Sequence, residues 1–209
     1  GVNMKIRERS TLMKLKAETS GFRFDEMVSE LLESEEKIHP DITQLITRRF
    51  INSDYVSPGL ATNFIIRTRD RVVYSHLRET SSFRSDIQSL IKLLEASVPD
   101  EMIESRLCDI LYQRFKSADW VWAIEIIKAL CSSGTVRCLA TLEVLRYDFS
   151  AEAQLARLKS GFNPVEPKNL NDHFESVTNT VILKVWRLLG EAIDNVKRRN
   201  DEPEYEWLN

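Results

Sequence analysis

The residues of this chain best suited to chemistry are an arginine and a histidine five positions apart, in the run Arg71-Val-Val-Tyr-Ser-His76. A fixed cation and a proton carrier on one helix are what phosphate chemistry asks for: one steadies developing negative charge, the other moves a proton. The plainer reading is a solvated arginine and a half-buried histidine bonded to a helix carbonyl. The same stretch carries the densest basic region, Arg67, Arg69, Arg71 and Arg78, with Arg48 and Arg49 upstream. On one continuous helix, 67, 71 and 78 fall on a broad common face and 69 points elsewhere. Such a face can grip phosphates while Tyr74 stacks on a base. Equally, it can pair with Glu30, Glu33 and Glu36 of the same molecule, and a net charge of −3 favours that internal pairing.

Arg-x4-His on a helix resembles the signature of the HEPN-domain ribonucleases. The resemblance implies RNA cleavage without metal in a cleft between two protomers, with Arg71 stabilising charge on the phosphate and His76 handling the proton or placing the 2′-hydroxyl. Other polar groups carry less. His39 and His173 have no cysteine or histidine at ligand spacing, so no metal is expected, and no cofactor motif is present. Asp25-Glu26 and Glu35-Glu36 read as a solvated acidic face. Ser57-Pro58-Gly59 and Ser132-Ser133-Gly134 read as turns, because the glycine pattern of a phosphate loop or nucleophile elbow is missing. Trp120 and Trp122 straddle a helix start; one belongs in the core, and Trp122 is a candidate exposed anchor for a partner. The acidic segment 200–209 adds Tyr205 and Trp207, a candidate docking peptide whose carboxylates would meet the basic residues 67, 71 and 78.

The elements that would position these residues are helical throughout. Phe24, Met27, Val28, Leu31 and Leu32 recur at helical spacing up to His39-Pro40, where Pro40 opens the next helix with Ile42, Leu45, Ile46 and Phe50. A turn at 52–59 precedes a helix expected from Leu60 to Glu79. Phe83, Ile87, Leu90, Ile91 and Leu94 define one more, then Ile103, Leu107, Ile110 and Leu111 another. The helices at 118–131 and 135–147 are apolar over more than half their circumference, which places them at the centre, with Trp120, Ile124, Ile127, Leu139 and Leu142 in the core. Ser150 caps a short helix to about Lys159. The last helix has the stripe Phe174, Val177, Val181, Val185, Leu189, Ile193 and Val196. The expected fold is all-α, with eight to nine helices in an irregular bundle or a short helical array. The expected division is a helical domain over 1–160, with room for a subdivision near 80–98, a linker at 161–168, a long helix over 169–199 packed on the same domain, and a tail at 200–209.

Residues 123–158, AIEIIKALCSSGTVRCLATLEVLRYDFSAEAQLARL, resemble HEAT repeats over about one and a half units: an apolar helix, a small-residue turn, a second apolar helix and an Asp-containing turn. The resemblance implies a helical protein-binding array. Six glycines and six prolines in 209 residues argue against an all-β chain, and 43% apolar with 29% charged residues against disorder. Cys108, Cys131 and Cys138 sit in apolar helical pattern and read as reduced packing residues. No apolar run reaches the roughly 20 residues of a membrane span, and the start lacks a signal-peptide core, so an intracellular address, cytoplasmic or nuclear, is expected. Gly1 reads as a tag scar and Met4 as a native start. The leading functional expectation is a non-catalytic interaction or scaffold module whose partner is another protein. The runner-up is a HEPN-like ribonuclease of a toxin or defence system using Arg71 and His76; the third is a nucleic-acid adaptor using the Arg48–Arg78 patch.

Overall fold

The computed structural model describes residues 4–34, 36–161 and 170–201. Of these, 83% are helical and none is in a strand, so the all-α expectation holds. The helices number twelve among the described residues, not eight or nine. In chain order they are α1 (Ile6–Ala17), α2 (Gly21–Glu33), α3 (Pro40–Asn52), α4 (Pro58–Thr68), α5 (Arg71–Leu77), α6 (Ser81–Ser85) and α7 (Ile87–Glu95), then α8 (Glu101–Lys116), α9 (Trp120–Ser133), α10 (Leu139–Asp148), α11 (Ser150–Gly161) and α12 (Leu170–Asp201). One turn of 3-10 helix, Val136–Cys138, leads into α10. No described helix is long and apolar enough to cross a membrane.

The higher count has a local cause. The helix expected from Leu60 to Glu79 breaks in two, because Arg69 closes α4 in the left-handed conformation (φ 55°) and Asp70 starts α5. The Asp70 carboxylate accepts the Val72 and Val73 amides at 2.9 Å each, and its second oxygen accepts the Thr47 hydroxyl at 2.5 Å. An N-cap of this kind satisfies donors that an interior turn would have bonded to carbonyls. Asp86 does the same between α6 and α7, accepting the Ser89 amide at 2.8 Å. Helix α1, for which no stripe was expected, buries only Leu15.

The chain forms two compact units, residues 1–96 and 97–209. In the first, α2, α3, α4 and α7 supply most of the core, and Phe50 meets Phe64 edge to face at 5.3 Å. In the second, α9 lies between α8 and α12, with Ala123, Ile126, Ile127 and Leu130 buried. Ile127 and Leu142 sit in the core as expected; Trp120, Ile124 and Leu139 are only half-buried. Trp120 is held at the edge of the unit against Phe115 and Phe149, with ring centroids 5.3 Å from each. Nor is α10 enclosed all round, since Val144 and the preceding Val136 are exposed. Gly190 in α12 has a packing reason: a Cβ there would come within 2.9 Å of the Arg146 guanidinium, which stacks on the Trp186 ring.

Candidate functional site

The arginines of the sequence patch are dispersed, and most are committed. Arg67 reaches from α4 to the C-terminal end of α2, donating to the Ser34 carbonyl at 2.7 Å and the Glu36 carbonyl at 3.2 Å. Arg69 donates to the Ala96 carbonyl, 2.9 Å away, at the end of α7. Arg49 donates to the Glu18 carbonyl at the end of α1 and lies 4.6 Å over the Phe24 ring. In the second unit Arg199 does the same for α9, donating to the carbonyls of Cys131, Leu130 and Gly134 at 2.6, 3.2 and 2.8 Å. Four helices thus have their last carbonyls met by a guanidinium from elsewhere in the chain. That geometry satisfies orphan acceptors and opposes a cation to the negative end of the dipole. Internal pairing does occur, but with backbone rather than with the glutamates: Glu36 instead meets Arg7 at 3.1 Å.

The shared face expected for 67, 71 and 78 does not form, because the break at Arg69 puts Arg67 on α4 and leaves Arg71 and Arg78 at the two ends of α5. Arg78 pairs with Glu79 at 3.4 Å. Arg71 and His76 are exposed on α5, and neither side chain takes a partner among the described residues. Five residues along a helix turn about 140°, so the two point away from each other across a seven-residue helix. Tyr74 is half-buried, with its ring centroid 6.4 Å from that of Phe83 in an edge-to-face pair. Purified protein is therefore expected to leave a labelled RNA intact in EDTA, and His76→Ala to behave identically. Cleavage that His76→Ala abolished would restore the ribonuclease reading.

Trp122 is half-buried and does not stand out as an anchor; its exposed neighbour is Val121. Tyr205 and Trp207, with the tail expected at 200–209, lie outside the described residues from 202 onward, as does most of the expected linker. Among the described residues no group of three or more His, Cys, Asp or Glu is placed to hold a metal ion. The cysteines are free, two of them buried. Burial pushes the Cys108 thiol up to about 11, and burial followed by the charge of Glu104 pushes Cys138 higher still. Neutral thiols shielded from solvent react slowly. A disulfide exchange reagent at neutral pH should modify the half-buried Cys131 first, and Cys108 and Cys138 only as the protein unfolds. Rapid reaction of all three would contradict this packing.

The surface that does stand out lies on the hairpin of α11 and α12. Ala153 and Ala156 are buried, seating α11 closely on α12, and Lys159 bridges to Glu175 at 2.6 Å. Outside that seam Leu155, Leu158, Phe174 and Val177 are 54, 60, 59 and 47% exposed. Phe174 and Val177 begin the same stripe whose later members, Val185, Leu189, Ile193 and Val196, are buried. Helix lengths explain the change. The end of α9 is pinned near the end of α12 by Arg199 and by Asn195, whose amide meets the Cys131 sulfur at 3.0 Å. With 14 residues α9 spans about 21 Å, whereas the 32 residues of α12 span about 48 Å. Helix α10 covers a similar part, from Lys197 bonded to Glu143 back to Trp186 under Arg146. Both run out near residue 185, and there burial stops: Val181 is half-buried.

Sequence reasoning marked the α12 stripe but missed its uncovered half and the exposed leucines of α11. The available signal was a last helix far longer than any helix able to pack against it. No family model, curated protein or solved structure matches this chain.

Proposed function

We propose that this chain is a non-catalytic helical interaction module whose docking face is the uncovered start of the α12 stripe, Phe174 and Val177. One observation carries the reading: Phe174 and Val177 stand about half-exposed on α12, in line with a stripe that is buried further along, and Leu155 and Leu158 add exposed apolar surface on α11. Scattered apolar residues on a surface need no explanation, whereas an aligned set marks an association site. Their burial against a partner would contribute about 1.5–3 kcal/mol each before the cost of association. The helix-turn-helix resembling a HEAT repeat suits such a role, and the arginines spent on helix ends leave few for a polyanion.

The test is capture by immobilised protein from an extract of the cells that make it, beside the doubly charged variant Phe174→Glu/Val177→Glu. The face predicts a protein, another chain or an untagged copy of this one, retained by the wild type and released by the variant. Identical captures by both would place the binding function elsewhere.

A further inference from the structure

We infer that the cleft between the ends of α8 and α10 is a second binding site, which takes a basic side chain, arginine before lysine, presented by a peptide of a protein partner. It shares no residue with the α12 stripe.

Helix direction builds the cleft. Residues between 106 and 113 of α8 line a shallow pocket with 140–144 of α10, and residues between 112 and 116 line the next one with 145–149. The two helices therefore ascend side by side, and both end at the second pocket, α8 at Lys116 and α10 at Asp148. Each brings the negative end of its dipole there.

The second pocket holds about 410 Å³ and is lined by aromatic rings. Phe115 meets Trp120 at 5.3 Å and Phe149 at 5.4 Å between centroids, and Trp120 meets Phe149 at 5.3 Å, so the three hold one another in place. Phe149 is buried, Phe115 and Trp120 are half-buried, and Tyr112, shared by the two pockets, is exposed. An aromatic face attracts a cation within about 6 Å of its centroid. One is already in place, since the Lys116 ammonium lies 4.5 Å over the Tyr112 ring. Among the described residues no cation lies over the other three rings.

Charge completes the match. The exposed carboxylates of Asp148 and Glu152 stand on the rim and join no ion pair among the described residues. Asp109 adds a third in the neighbouring pocket, against Arg106 and Lys116 as the lining cations. A phosphate or an anionic lipid would be repelled by that rim, and an apolar side chain would strip water from carboxylates it cannot pair. A guanidinium stacks on a ring and donates to a carboxylate with one planar group, which places arginine before the more strongly hydrated lysine. The first pocket makes the source a peptide. Ala140 and Val144 line it, about one helical turn from the aromatic pocket. Side chains two positions apart in an extended chain lie about 6.6 Å apart on one face, so an apolar residue two positions from the arginine reaches it.

The experiment is two-dimensional NMR of the full chain titrated with acetyl-Leu-Ala-Arg-Ala-Leu-amide, read at the Trp120 indole and the amides of 141–149. Saturable shifts should appear there. The same peptide with citrulline, a neutral isostere of arginine, should bind about tenfold more weakly. Asp148→Asn/Glu152→Gln should weaken the arginine peptide roughly three- to tenfold with circular dichroism unchanged. Glu191→Gln/Asp194→Asn, the same charge change at exposed positions of α12, should leave it unaltered. Equal affinity for the two peptides, shifts that miss Trp120, or equal losses in both charge variants overturn the proposal. Tetramethylammonium binding as tightly as the peptide would assign the cleft to a free organic cation and overturn the peptide as its occupant. The capture test on Phe174 and Val177 stands or falls separately from each of these results.

Discussion

Ile127→Ala is expected to lower the unfolding free energy of the 97–201 unit by about 2–5 kcal/mol, the range for emptying a fully packed aliphatic site. Ile127 is inaccessible to solvent on α9, the helix flanked by α8 on one side and α12 on the other. Collapse of α12 into the space is opposed by its ties to the end of α9 through Arg199 and Asn195. The measurement is urea unfolding followed by tryptophan fluorescence. All four tryptophans of the chain, 120, 122, 186 and 207, lie beyond residue 97, so the signal belongs to this unit alone. The midpoint should fall with the slope unchanged. Val121→Ala, on the solvent side of the same helix, should shift it by no more than about 0.5 kcal/mol. Equal effects at both positions would mean that α9 is not the central helix.

A second large effect is expected at Glu104, a buried carboxylate on α8. Its two oxygens accept the backbone amide of Thr135 at 2.8 Å and the Thr135 hydroxyl at 2.9 Å. They thereby fix the entry to the 3-10 turn and α10. Glu104→Ala leaves both donors without their acceptor, and because Thr135 itself is exposed, water replaces part of what is lost. Hydrogen bonds to a charged group contribute about 1.5–3 kcal/mol each, and with water serving the exposed threonine in part, a loss of roughly 2–4 kcal/mol is expected for the pair. Glu104→Gln keeps one carbonyl acceptor, and the threonine hydroxyl can turn to accept from its amide, so the loss should be about half as large. If Glu104→Ala unfolds at the wild-type midpoint, the turn is held by something else.

The all-α class and much of the core were legible in the sequence because apolar spacing reports one face of a helix directly. Val185, Leu189, Ile193 and Val196 were read from spacing and are buried. Helix ends were harder. Glycine is the usual mark of a left-handed helix end, yet here Arg69, Ser97 and Ala118 take that conformation, at φ 55°, 55° and 53°. With no glycine at 69, the pattern ran on from Leu60 to Glu79, and the arginines acquired a common face that they do not have. Asp70 and Asp86 were visible as cap residues but sit inside apolar patterns that concealed their role. The guanidinium caps were not legible at all, since a contact such as Arg67 to Ser34 depends on tertiary packing across 33 positions. The docking face lies between these cases. A stripe shows in the sequence, whereas the point where its cover ends depends on how long the covering helices are.

Amide hydrogen exchange along α12, compared between the free protein and the protein with its captured partner, tests the docking face most directly. The exposed stripe predicts that amides of the first half of α12 gain protection when the partner binds, while those of α8 and α9, already enclosed within one chain, stay unchanged. Exchange along the first half of α12 that a captured partner leaves unchanged would contradict it.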